Sequence, residues 1–179
     1  TSLSSGGVGR GYAHSRAGAL AANANYQQSF ADTAILRPEE LRRRIEAAAT
    51  EEYAPAMLAA NEPGADRLTR GGLGKGLRAG LPTSYFAVPA FHRVLAYSSR
   101  RAVIRTWGFT IVGNSSTVEP TAYFGTSRME LRWADGDWKI ADTQAAFGPT
   151  PRVLSPRRGG EGFEVVDLVE GMRPYAATP

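Results

Sequence analysis

Three polar residues stand among apolar neighbours in the second half of the chain, and any chemistry is expected there first. Arg105 alternates with Val103, Trp107, Phe109 and Ile111; Asp142 alternates with Trp138 and Ile140; His92 alternates with Phe86, Val88 and Val94. If these stretches are strands, a period of two puts each polar group on an apolar face. A carboxylate or imidazole held in a pocket there could serve as a general base. Asp142, His92 and Arg105 are therefore the candidate catalytic set, suited to isomerase, cyclase or dehydratase chemistry. An arginine beside the aspartate would keep the carboxylate ionised, which favours anion binding or fixed geometry over proton abstraction. The competing reading is an ion pair between Arg105 and Asp142 beside a half-buried His92. Tyr85, Trp107, Phe109, Trp133 and Trp138 could line a ligand pocket, but a small core uses the same residues, and core is the expectation.

Other motifs carry less. Gly74-Lys75-Gly76-Leu77-Arg78-Ala79 has the letters of a Gly-x-Gly-x-x-Ala dinucleotide fingerprint. That fingerprint works only between a strand and a helix N-terminus, and no strand is expected before Gly71, so the stretch reads as a loop and no cofactor is expected. Asn114-Ser115-Ser116 reads as a hairpin turn. Arg42-Arg43-Arg44, Arg100-Arg101 and Arg157-Arg158 lack interleaved aromatics, which argues for solvated faces and against a specific nucleic-acid partner. Twenty-one Lys and Arg against 17 Asp and Glu give a formal charge of +4, too small for strong electrostatic steering. There is no cysteine, which excludes disulfides and thiolate metal sites. His14 and His92 are far apart in sequence, so no metal is expected.

The elements that must position these residues fall into two halves. Residues 1–13 are rich in Ser and Gly and read as a flexible segment or extended arm. Ser15 can cap a helix running to about Ala31, with Ala17, Leu20, Ala21 and Ala24 as its packing stripe and Gly18 as a weakness. Pro38, Glu39 and Glu40 mark the start of a second helix. Its packing face is Leu41, Ile45, Ala48, Ala49 and Glu52, with Arg42, Arg43 and Arg44 mostly opposite, and Pro55 should kink or end it. Residues 61–82 read as a glycine-rich loop holding at most a short helix near 65–69. Residues 85–97 are β-rich, with Pro89 at an edge or bulge. Residues 102–112 alternate cleanly, residues 123–133 form a third strand, and Asp135-Gly136 makes the turn into a fourth. Residues 152–179 form a tail, with a short amphipathic helix expected over 162–172. A helical and then a β-rich half, within 179 residues of which 42% are hydrophobic, predict one α+β domain over residues 14–151.

This order, ending in the Arg132-Trp133-Ala134-Asp135-Gly136-Asp137-Trp138-Lys139-Ile140 hairpin, resembles the nuclear transport factor 2-like (cystatin-like) superfamily. The resemblance implies helices packed on a curved antiparallel sheet, a cone-shaped roll, here with a C-terminal extension. The stretch from Gly11 to Ala22, with Asn25-Tyr26 and with residues 147–151 (Phe-Gly-Pro-Thr-Pro), further resembles a group of actinobacterial proteins that usually carry an N-terminal membrane anchor. It implies an extracytoplasmic location, membrane-anchored or secreted. A chain starting at Thr1 without methionine leads us to expect a signal peptide, an anchor helix or a tag upstream. Relatives with this fold include scaffold domains of conjugation and secretion machines as well as small-molecule enzymes. No acid–base pair at motif spacing and no surviving cofactor loop favour a non-enzymatic scaffold or protein-interaction domain, its partners being other proteins or further copies of itself.

Overall fold

The computed structural model describes residues 2–3, 7–151 and 169–175. It is an α+β fold in which four helices precede an open antiparallel sheet. Two short strands, β1 (Ser2–Leu3) and β2 (Gly9–Arg10), pair in an N-terminal arm. Val8 and Tyr12 of that arm are buried, and the amides of Gly11 and Tyr12 donate to the Asp137 carboxylate at 2.9 and 3.1 Å.

Helix α1 (Arg16–Ser29) begins where Ser15 predicts it, with the Ser15 hydroxyl accepting from the Gly18 amide at 3.1 Å. Its packing face differs from the expected alanine stripe: Gly18, Ala19, Ala22, Asn23, Tyr26 and Ser29 are buried, while Ala17 and Ala21 face solvent. An alanine-rich helix is barely amphipathic, so the side chain that docks, Tyr26, fixes the face. Gly18 is no defect. A Cβ there would lie 1.9 Å from the Ala13 carbonyl oxygen, so the arm can fold back onto the helix only at a glycine.

A 3-10 turn (Thr33–Leu36) leads into α2 (Pro38–Ala48), which buries Leu41, Ile45 and Ala48 as predicted. Arg44, expected outside, is buried and spans the Ser29 carbonyl and the Asp32 carboxylate. Glu52, expected on the packing face, is exposed. Pro55 does not end a helix; it stands in the first turn of α3 (Ala54–Arg70), where its missing N–H costs nothing. Residues 61–82 are mostly helical instead of loop. Helix α3 runs through Pro63 on its exposed side and is followed by α4 (Gly72–Arg78). The glycines there serve packing: a Cβ on Gly74 would lie 2.1 Å from the Thr69 carbonyl oxygen, and one on Gly76 would lie 2.4 Å from the Asn114 amide.

Strands β3 (Thr83–Tyr97), β4 (Arg101–Asn114), β5 (Thr121–Ala134) and β6 (Asp137–Phe147) form an antiparallel meander. A short β7 (Arg173–Pro174) pairs with β3 at Phe91 and His92, giving the order β6-β5-β4-β3-β7. The β5–β6 turn has Asp135 at φ 53° and Gly136 at φ 74°, the positive values that the Asp-Gly dipeptide predicts. The expected helix over 162–172 lies largely outside the described residues; its last four residues form a turn closed by the Met172 amide on the Val169 carbonyl at 2.8 Å.

The helices cover one face of the sheet. Ala102, Ile104, Met129, Leu131, Trp138 and Ile140 meet Ala19, Ala22, Tyr26, Leu41 and Ile45 there, and Trp138 and Ile104 are fully buried. Simple alternation assigns the faces wrongly because the ladder slips three times. The register shifts between Pro89 and Phe91, between Val94 and Ala96, and on β6 between Ile140 and Asp142. Each extra residue moves everything beyond it to the other face.

Candidate functional site

Beyond the C-terminal end of α1, the helix-facing side of the sheet continues as an open cleft of about 320 Å³. Its lining includes Ala87, Gly108, Gly125 and Ala145, four small side chains that leave the strands nearly bare. Gly108 has no alternative at its position, since a Cβ would lie 2.3 Å from the Val88 carbonyl oxygen. The rim is aromatic: Tyr123 is 50% exposed and Phe147 88%, their rings 6.5 Å apart. Gln27 and Ala31 close the side towards α1, and the buried Ser127 hydroxyl has no hydrogen-bond partner among the described residues. Among the described residues no carboxylate, imidazole, ammonium or guanidinium group lines the cleft, so those residues suit it to apolar groups and offer no general acid or base near neutral pH.

The cleft lies at the sheet's edge. The early part of β6 is bordered by the Ala49 bridge to Ile140 and by the Thr50 amide donating to the Ile140 carbonyl at 2.8 Å. Past Thr143, whose amide donates to the Tyr53 hydroxyl at 3.0 Å, no described strand pairs with the outer edge of β6. Gln144, Ala145, Ala146 and Phe147 are all exposed, uncharged and free of proline. Sheet edges are normally blunted by charge, proline or a covering element, and this segment lacks the first two.

The three residues singled out from the sequence are not brought together. The β6 bulge turns Asp142 away from Trp138 and Ile140; it faces Glu130 in register and pairs with Arg128 at 3.0 Å, not with Arg105. Arg105 is exposed on the same outer face, between Arg93 and Arg128 in the ladder. The β3 bulge sends His92 to the opposite side from Phe86 and Val88: His92 pairs with Thr106, whose hydroxyl donates to Asn23 of α1 at 2.9 Å. Its ring meets that of Tyr175 at a tilt of 42°, centroids 4.4 Å apart; the Tyr175 hydroxyl also donates to Asn23, and burial pushes its pKa up to about 12. Burial, then the charges of Arg16 and Arg173, lower the His92 pKa below the ordinary histidine value, so the ring is neutral at pH 7.

Among the five aromatics, Trp138 lies in the core and Tyr85 and Trp133 pack against it. Trp107 belongs to the outer face, its indole donating to the Pro149 carbonyl at 2.8 Å, while Phe109 borders the cleft. His14 stacks on Trp133 at 3.9 Å. The arginine runs are spent locally: Arg43 on Glu40, Arg44 on Asp32 and Arg101 on Glu130; Arg157 and Arg158 lie outside the described residues. Asn114 caps its own turn, accepting from the amides of Ser116 and Val118 at 3.0 and 3.1 Å. Among the described residues no group of His, Asp and Glu could hold a metal ion, and no helix is long and apolar enough to cross a membrane.

The cleft residues escaped sequence reading because small side chains look unremarkable in a strand. The available signal was that Gly108, Gly125 and Ala145 each interrupt an otherwise bulky stretch, a sign of bared backbone. Residues 1–157 match the family described as Domain of unknown function (DUF8175), and the chain belongs to that family. No curated protein and no solved structure matches it.

Proposed function

We propose that this family member is a non-enzymatic protein-interaction domain. In this reading an extended segment of a partner protein adds to the free edge of β6 and places an apolar side chain in the cleft. The observation that carries the proposal is the juxtaposition of a sheet edge, residues 144–147, that lacks charge, proline and any described strand beside it, with an apolar cleft rimmed by the exposed Phe147. Backbone hydrogen bonds would supply affinity and the cleft would supply selectivity, as in other strand-addition complexes. The enzyme alternative needs Asp142 or His92 in a pocket: neither lines this cleft, and His92 lines a separate cavity whose described lining includes no carboxylate.

A finer assignment belongs to the same proposal. Helices on one face of an open antiparallel meander support membership of the nuclear transport factor 2-like superfamily. A chain without cysteine, together with the resemblance to anchored actinobacterial proteins, supports display outside the cytoplasmic membrane within a conjugation or secretion assembly.

The test places a photo-crosslinking amino acid at Phe147 and, as a control, at Arg105 in cells of the source organism. A discrete protein adduct at 147 that is absent at 105 and abolished by Ala145→Arg is the expected result; an adduct of this chain with itself would identify the partner as a second copy. No adduct at 147, or a small molecule co-purifying stoichiometrically with the protein, overturns the proposal.

A further inference from the structure

A second cavity, about 250 Å³, lies at the β3–β7 edge of the sheet, where the chain returns to it through β7. It is lined by Arg16, His92, Arg93, Val94, Gly171 and Arg173. The three guanidinium groups come from three separate elements: Arg16 opens α1, Arg93 lies on β3 and Arg173 on β7. Among the described residues, none of the three has an ion-pair or hydrogen-bond partner, whereas Arg101, Arg128 and Arg132 of the same sheet each pair with a carboxylate.

Converging cations without a counter-charge repel one another, and an anion between them removes that repulsion. Arg16 adds to the imbalance, because the first turn of a helix favours negative charge and disfavours a cation. His92 supplies a further unmet demand: its Nδ1 is buried with no hydrogen-bond partner among the described residues. Gly171, at φ 70°, makes room for this arrangement, since a Cβ there would lie 3.3 Å from Arg93 Nη1. Tyr175, in contact with the His92 ring, holds the turn and its arginine against α1 through Asn23.

We propose that this cavity, formed by Arg16, His92, Arg93 and Arg173, binds a phosphate monoester. Planar guanidinium forks match tetrahedral oxyanions with paired hydrogen bonds, and three of them suit a dianion. The volume exceeds what a bare phosphate needs, which leaves space for the group it is esterified to. The site is independent of the β6 cleft, and either can fail without the other.

The test is calorimetric titration of the full chain with inorganic phosphate, alongside co-sedimentation with phosphatidylcholine vesicles with and without phosphatidic acid. Saturable one-to-one binding, weakened about tenfold by Arg16→Gln or Arg173→Gln and unchanged by Arg42→Gln, is expected, since each lost charge-assisted bond is worth about that factor. The chain has only two histidines, so the His92 imidazole resonance should shift on phosphate addition by far more than that of His14. Arginine-dependent binding to phosphatidic acid vesicles without binding of free phosphate would assign the monoester to a lipid headgroup. Absence of both, or binding that the two arginine variants leave intact, overturns the proposal.

Discussion

One side of one sheet carries two opposite solutions. Around Trp138, Ile104 and Leu131 the strands present large side chains, and helices α1 and α2 bury them completely. Around Gly108, Gly125 and Ala145 the same strands present almost nothing, α1 has ended, and the exposed rings of Tyr123 and Phe147 stand at the rim. The difference teaches that this side of the sheet is filled where bulk meets helix, and forms an open cleft where the strands outrun that cover. The buried half of these strands carries the core, and the proposed recognition falls to the other half.

The contrast can be broken most forcefully at Trp138, which is 0% exposed and donates its indole N–H to the Ala13 carbonyl at 3.0 Å. Trp138→Ala should cost about 3–5 kcal/mol in urea unfolding, whereas Phe147→Ser, at the exposed rim, should stay within about 0.5 kcal/mol. Equal costs at the two sites would mean that the cleft is part of the core.

A smaller effect separates the outer face from both ends. Glu130 is 8% exposed and meets Arg101 at 2.6 Å, Arg132 at 3.5 Å and Arg128 at 3.8 Å. The hydrogen bond from Arg101 leads the causes that hold its carboxyl below the usual glutamate range, with burial opposing. A depressed carboxyl pKa stabilises the fold at pH above the unfolded-state value of about 4.3, and that gain disappears as pH falls through the lower folded value. Glu130→Gln should therefore cost on the order of 1 kcal/mol at pH 7 and progressively less in acid; a difference independent of pH would exclude an ionic role.

The smallest change sharpens the reading of the cleft itself. Ser127 keeps a buried hydroxyl with no described partner, so Ser127→Ala should be neutral or stabilise by up to about 1 kcal/mol in thermal melts. A loss of stability would show that the hydroxyl is satisfied in the folded protein and is not waiting for a ligand.

Much of the local structure was legible beforehand. Ser15 as a cap, Pro38 in a first turn and Asp135-Gly136 as a hairpin turn are decided by a few neighbouring residues, and each stands where its chemistry requires. The helices over 61–82 were not legible: Pro63, Gly64 and Gly71 to Gly76 argue against helix locally, and close packing of α4 on Thr69 and Asn114 overrides them. The candidate catalytic set was misplaced for a different reason. Alternation reports a face only while the ladder is unbroken, and one extra residue on β3 and one on β6 sent His92 and Asp142 to opposite sides.

By itself, then, the order of residues determined the first two helices, the antiparallel second half and the turns between strands, because those depend on contacts a few positions apart. Only the tertiary structure decided which face each strand residue occupies, where helix cover stops and which arginines converge without a partner among the described residues. Those outcomes depend on single-residue slips between strands and on packing between segments a hundred positions apart, and no local pattern encodes either.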